Sequence, residues 1–149
     1  MPRHEEVRIL PYTPEQLFSL VADIESYPLF LPWCVEAKIR SRSLNRVIAD
    51  LGIGYRFFKE HFTSDVLLTP LHRIDVRYSD GPFRYLENHW IFKDVTPDVS
   101  LVKRCQLEFF VDFQFKSQLL QNFIEVLFTE AVHKMVDAFE KRAKVLYGL

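Results

Sequence analysis

The stretch QLLQNFIEVLFTEAVHKMVDAFEKRAKVLY, from Gln118 to Tyr147, decides how the rest of the chain must be arranged. It contains no Gly and no Pro. Leu120, Phe123, Ile124, Leu127, Phe128, Ala131, Met135, Ala138, Phe139, Ala143 and Leu146 recur at three- and four-residue spacing, which places them on one face of a helix. Gln121, Asn122, Glu125, Glu130, Lys134, Asp137, Glu140, Lys141 and Lys144 fall between them, on the other face. At 1.5 Å per residue the helix is roughly 45 Å long. A long one-sided helix needs a broad apolar surface to lie on, and the preceding chain is read as the curved sheet that supplies it.

Working outward, Phe109, Val111 and Phe113 belong to a long alternating run with Leu101, Lys103, Cys105 and Leu107 on one face and Arg104, Gln106, Glu108 and Asp112 on the other. Before it, Leu86, Asn88, Trp90 and Phe92 share a strand face, as do Ile74, Val76 and Tyr78, and Phe58, Phe62, Val66 and Leu68. Val47, Ala49 and Leu51, then Val35, Ala37 and Ile39, predict two earlier strands. Asn45, Pro70, Ser79-Asp80-Gly81-Pro82 and Thr96-Pro97-Asp98 punctuate the series. Near the start, Glu5 to Leu10 alternates with Val7 and Ile9 on one side, a first strand. Thr13-Pro14-Glu15-Gln16 has the form of a capping box, with Pro14 at the first helical position, and predicts a helix to about Asp23. Ser26-Tyr27-Pro28 begins a second short helix that Pro32 ends. The order is strand, two short helices, about six strands, long helix. Short turns make the sheet antiparallel, and helices gathered on one side of it make the fold α+β.

The 149 residues fit one domain, 1–149, large enough to fold without a metal or disulfide. Two readings of the 14 phenylalanines stay open: a bulky core, or a core that does not close and leaves an apolar cavity. A net charge of −1 gives no electrostatic footprint for DNA or RNA. Cys34 and Cys105 show neither metal nor redox spacing and read as buried free thiols of a reducing compartment. With no apolar run of about 18 residues and no leader pattern, the expected place is the cytoplasm.

Chemistry is sparse. The sequence has no Gly-rich phosphate loop, no helical zinc motif and no nucleophile elbow. His4, His61, His72, His89 and His133 are scattered, and Asp112 lies opposite the apolar phase, so no catalytic residue is assigned. Lys103 lies in phase with the apolar face, either snorkelling from the strand or orienting a ligand inside a cavity. The segment Tyr27-Pro28-Leu29-Phe30-Leu31-Pro32-Trp33 reads as core, apolar lid or membrane-touching tip.

The chain resembles the coenzyme Q-binding family, which includes the ribosome-association toxins and lies within the START-like, polyketide cyclase-like superfamily. The resemblance rests on the segments from Pro11 to Gln16 and from Leu20 to Cys34. It continues through Asp80-Gly81-Pro82-Phe83-Arg84, Trp90-Ile91-Phe92, Asp112-Phe113-Gln114-Phe115 and Ala138-Phe139-Glu140-Lys141-Arg142-Ala143. Arg84 stands where many relatives have Lys. The resemblance implies a helix-grip fold of about six to seven strands and a hydrophobic tunnel. It also implies non-enzymatic binding of ubiquinone or a similar polyprenyl lipid, as a quinone chaperone supporting respiratory electron transfer. Contact with the inner membrane surface follows from that role, ubiquinone being a ligand and not a cofactor, with no metal. The family pattern places the tunnel mouth at Tyr27, Pro28, Phe30 and Leu31. Strand and helix phase independently nominate Phe58, Phe62, Trp90, Phe92, Leu107, Phe109, Phe123 and Leu127 as walls. Lys103 and Arg84 are the candidates for polar contacts. The alternatives are a toxin-like protein that binds the large ribosomal subunit, and a cyclase or hydrolase on the same fold.

Overall fold

The computed structural model describes residues 3–55 and 58–148. Seven strands form one antiparallel sheet: β1 (Arg3–Leu10), β2 (Cys34–Ser43), β3 (Arg46–Tyr55), β4 (Phe58–Thr69), β5 (Arg73–Asp80), β6 (Phe83–Asp94) and β7 (Cys105–Phe115). Their spatial order is β1-β7-β6-β5-β4-β3-β2, so β1 and β2 are the edges. Helix α1 (Pro14–Ala22) and a 3₁₀ helix over Ile24–Leu29 follow β1, and α2 (Gln118–Tyr147) closes the chain with the bounds its periodicity predicts. This is the curved-sheet, long-helix architecture of the helix-grip fold.

Local chemistry explains the elements. Thr13 caps α1, its hydroxyl accepting from the Gln16 N–H at 3.1 Å while the Gln16 side chain accepts from the Thr13 N–H at 3.0 Å. The apolar face of α1 (Leu17, Phe18, Leu20, Val21) is buried at one end of the sheet, where Phe18 meets Phe92 edge-on at 5.5 Å. The second helix differs from expectation. It starts at Ile24, directly after α1, and Pro28 sits inside it instead of in its first turn. A 3₁₀ helix this short tolerates it because only the one bond that the Pro28 nitrogen would have donated is lost, while the ring holds φ near the helical value. On α2, Phe128, Val132, Val136, Phe139 and Ala143 are buried, and so is Gln121. By spacing, Gln121 falls on the polar face. It is buried because its side-chain oxygen accepts the Phe115 N–H at 2.8 Å, joining α2 to the end of β7.

Two strand phases also depart from the sequence reading. In β1, Val7 and Ile9 are exposed, and His4, Glu6 and Arg8 point inward. The inward row is polar because α2 meets it with polar groups: Arg8 Nη1 is 2.8 Å from Asp137 and 3.3 Å from Glu140. In β2, the register shifts between Cys34 and Glu36, which turns Val35 out to solvent. β7 begins only at Cys105. Leu101 and Lys103 lie in the preceding connection, which the Thr96 hydroxyl pins by accepting from the Arg104 N–H at 2.9 Å.

Candidate functional site

Between the sheet and α2 lies a cavity of about 330 Å³. The core explains why it is there. Buried apolar residues divide into a large cluster holding Trp90, Phe109, Phe128 and Phe139, and a small one of Phe62, Phe83 and Phe115. The cavity takes walls from both clusters, so it occupies the gap where they fail to merge. Aromatic contacts hold the helix over it. Phe139 meets Trp90 at 4.9 Å and Tyr27 at 5.4 Å, and Phe128 meets Phe113 at 5.4 Å. Large rings in edge-to-face and tilted pairs keep α2 at a set distance, and smaller neighbours such as Ala131 leave the space unfilled.

The walls are almost wholly apolar, and the polar groups among them are already partnered. Ser64 donates to the Ala49 carbonyl at 3.3 Å. Asn88 donates to the Phe110 carbonyl at 2.9 Å and accepts from Trp90 Nε1 at 2.9 Å. Tyr27 donates to the Val21 carbonyl, and burial raises its phenol well above the ordinary value. Burial also pushes the Cys34 thiol up to about 11, a shift that its hydrogen bond to the Glu36 carbonyl only partly offsets. Among the described residues, Glu130 is the one carboxylate bordering the cavity, and no histidine borders it. Glu130 pairs with Lys134 at 3.0 Å on the exposed surface of α2. Those two residues, with Pro32, Trp33 and Cys34 from the segment after the 3₁₀ helix, mark the rim. Trp33 stands in the left-handed region at φ 68°, its carbonyl held by the Gly54 N–H at 2.8 Å. Such a cavity can solvate an apolar molecule; it offers no pair of convergent acid and base groups.

The polyketide cyclase / dehydrase and lipid transport family matches residues 10–140. The chain belongs to this family. Within it, the chain is 40% identical over 144 residues to the ribosome association toxin of Rickettsia prowazekii, covering 94% of each. It is 36% identical over 147 residues to a mitochondrial coenzyme Q-binding protein homologue of Xenopus laevis, covering 97% of this chain and 59% of that one. The solution structure of an 18 kDa protein from Caulobacter crescentus superposes with a TM-score of 0.76 at 34% identity, covering 100% of both chains. The resemblance read from the sequence, to a polyketide cyclase-like family that includes coenzyme Q-binding proteins and ribosome-association toxins, is therefore correct.

The cavity gathers some predicted wall residues and leaves out others. Tyr27, Leu31, Phe62, Trp90, Phe109, Phe123 and Leu127 line it. Phe58 falls outside the described side chains. Pro28, Phe30, Phe92 and Leu107 do not line it. Phe92 and Leu107, partners in the β6–β7 register, lie in the sealed core on the α1 side. Sharing a strand face fixes the side of the sheet and not the position along it. Phe30 meets Phe139 edge-on at 5.2 Å, with the Arg142 guanidinium 5.4 Å from its ring. The predicted polar contacts are corrected. Lys103 is exposed in the connection before β7, and Arg84 is exposed because the β6–β7 register shifts between Phe83 and Tyr85, which takes it out of the phase of the cavity-lining Leu86, Asn88 and Trp90. The nomination of wall residues missed Trp33, Cys34, Phe83 and Phe115. All four lie in segments that carry the family resemblance, a signal that strand phase alone lacks at strand ends.

Proposed function

We propose that the chain is a non-enzymatic carrier that holds ubiquinone or a related polyprenyl lipid in this cavity, supporting respiratory electron transfer as a quinone chaperone. The observation that carries the reading is an apolar cavity whose polar groups are all internally satisfied. A volume of about 330 Å³ lies at the small end of the ~300–1,000 Å³ typical of ligand pockets. Contact area supplies affinity for an isoprenoid tail, at about 25 cal/mol per Å² of apolar surface removed from water. The rim opens beside Pro32, Trp33 and the 3₁₀ helix, where Leu29 is 72% exposed, so this end is the natural one to touch a bilayer during exchange. The name of the Xenopus relative supports the ligand class. Organic extraction of purified protein, followed by mass spectrometry, tests it: a stoichiometric polyprenyl quinone is expected. An empty extract after incubation with quinone-containing vesicles overturns it.

The 40% identity to the Rickettsia toxin favours a second reading, binding to the large ribosomal subunit to block subunit joining. Sucrose-gradient profiles on overexpression decide it, with a rise of free subunits expected if it holds and unchanged profiles removing it. A cyclase or hydrolase role on this fold requires convergent polar groups, which the described cavity residues do not provide.

A further inference from the structure

The polar row that β1 turns toward α2 has a use that the cavity does not absorb. His4 Nε2 lies 2.9 Å from Glu6 Oε1, and His133 Nδ1 lies 3.5 Å from the same oxygen. The three ligand atoms all fall within 4.8 Å of one another. Zinc–ligand distances near 2.0–2.2 Å place neighbouring ligands of a tetrahedron roughly 3.3 Å apart, so these atoms need only small rotations to converge on one ion. We propose that His4, Glu6 and His133 form a binding site for a divalent transition-metal ion of the zinc class, with a fourth position open to water.

Three features beyond proximity support this. First, the donor set is two imidazoles and one carboxylate, a combination suited to zinc and its neighbours in the first transition row. Second, the outer partners are in place. Arg8 Nε donates to the other Glu6 oxygen, and Arg8 is itself held by Asp137 and Glu140, so Oε1 is left directed at the two histidines. Third, with neutral imidazoles the cluster sets three carboxylates (Glu6, Asp137, Glu140) against one guanidinium, a surplus of two negative charges that a dication balances. His4 and Glu6 are largely buried and His133 is 52% exposed, which gives an entry path and room for water. The ligands lie on opposite ends of the sequence, so the site exists only in the folded chain, and an ion there ties β1 to α2. The His4 ring also packs 6.4 Å from Phe109 and 6.5 Å from Phe128, both walls of the cavity, which places the ion directly behind the lipid compartment.

The test uses full-length, tag-free protein stripped of metal and titrated with Zn²⁺ against a chromophoric chelator. One equivalent per chain is expected, with a rise in melting temperature. His133→Ala, a change on the exposed side of α2, is expected to weaken binding at least about tenfold, which is ~1.4 kcal/mol, and to abolish the thermal shift. His61→Ala, remote from the cluster, is expected to behave as wild type. The proposal is overturned if wild type takes up less than one equivalent, or if His133→Ala keeps wild-type affinity. The second result would mean that zinc binds elsewhere, for instance at Cys34.

Discussion

Gly81 sits in the turn between β5 and β6 at φ 142°, and a Cβ built there would stand 2.6 Å from Phe62 Cβ and 2.9 Å from Phe62 Cα. Both the backbone conformation and the space admit only glycine. Gly81→Ala is expected to lower stability by about 3 kcal/mol, at the upper end of the range for a strained backbone, measured as a shift in urea midpoint at constant slope. The same residue scale governs Cys34. A thiol pushed up to about 11 by burial is almost entirely protonated at pH 8, with a thiolate fraction on the order of 0.1%. Alkylation of Cys34 by iodoacetamide should therefore be at least tenfold slower at pH 8 than that of a free cysteine, and should accelerate as pH rises toward 11. An ordinary thiol would level off near pH 9. Cys34 borders the cavity, so a bound lipid should slow the reaction further. This position reads from sequence as a buried free thiol; it is half-buried, because β2 starts there at the rim.

At the scale of elements, α1 is the case in which local sequence suffices. Its capping box, Pro14 and apolar face agree with one another, and the helix forms where they predict. Thr13→Ala is expected to cost about 1 kcal/mol, seen as a lower melting temperature with the cavity intact, since Thr13 does not line it. Helix α2 is as legible in its bounds but less so in its faces. Gln121 is polar by type and buried by circumstance, because the Phe115 N–H at the end of β7 needs an acceptor. Gln121→Ala is expected to cost about 1–3 kcal/mol, seen as a lower urea midpoint, by leaving that donor buried and unsatisfied; Gln121→Glu keeps the acceptor but sets a buried carboxylate against Glu125, to which the native amide donates at 3.1 Å, and so does not rescue the loss. Strand β1 shows the reverse error. Val7 and Ile9 alternate convincingly, yet an edge strand is judged by what covers it, and the helix segment above carries His133, Asp137 and Glu140.

For the whole molecule, the unmerged core predicts how ligand and stability are linked. A lipid that fills the cavity binds the folded state alone, so at about 100 times its dissociation constant it should add ~2.7 kcal/mol. For a domain of this size that raises the melting temperature by roughly 5–10 °C, as read by calorimetry with and without quinone. Ala131→Trp, on the α2 side of the rim, is expected to reduce quinone uptake at least about tenfold while leaving the fold stable, because the new ring occupies space the native core leaves empty. Loss of uptake together with a large drop in melting temperature would point instead to overpacking.

What the sequence determined by itself is what depends on neighbours along the chain: the bounds of α2, the capped start of α1, the strand series with its turns, and the family to which these segments belong. Periodicity also assigned the right side of the sheet to Phe62, Trp90 and Phe109. The tertiary structure decided where along that side the space lies, since α1 seals Phe92 and Leu107 into core while α2 bridges the gap above Phe62 and Phe113. It also decided that Lys103 and Arg84 face water, and that His4, Glu6 and His133 meet. Their juxtaposition spans nearly the whole chain and comes from β1 pairing with β7 beneath α2, a contact that no local pattern of residues encodes.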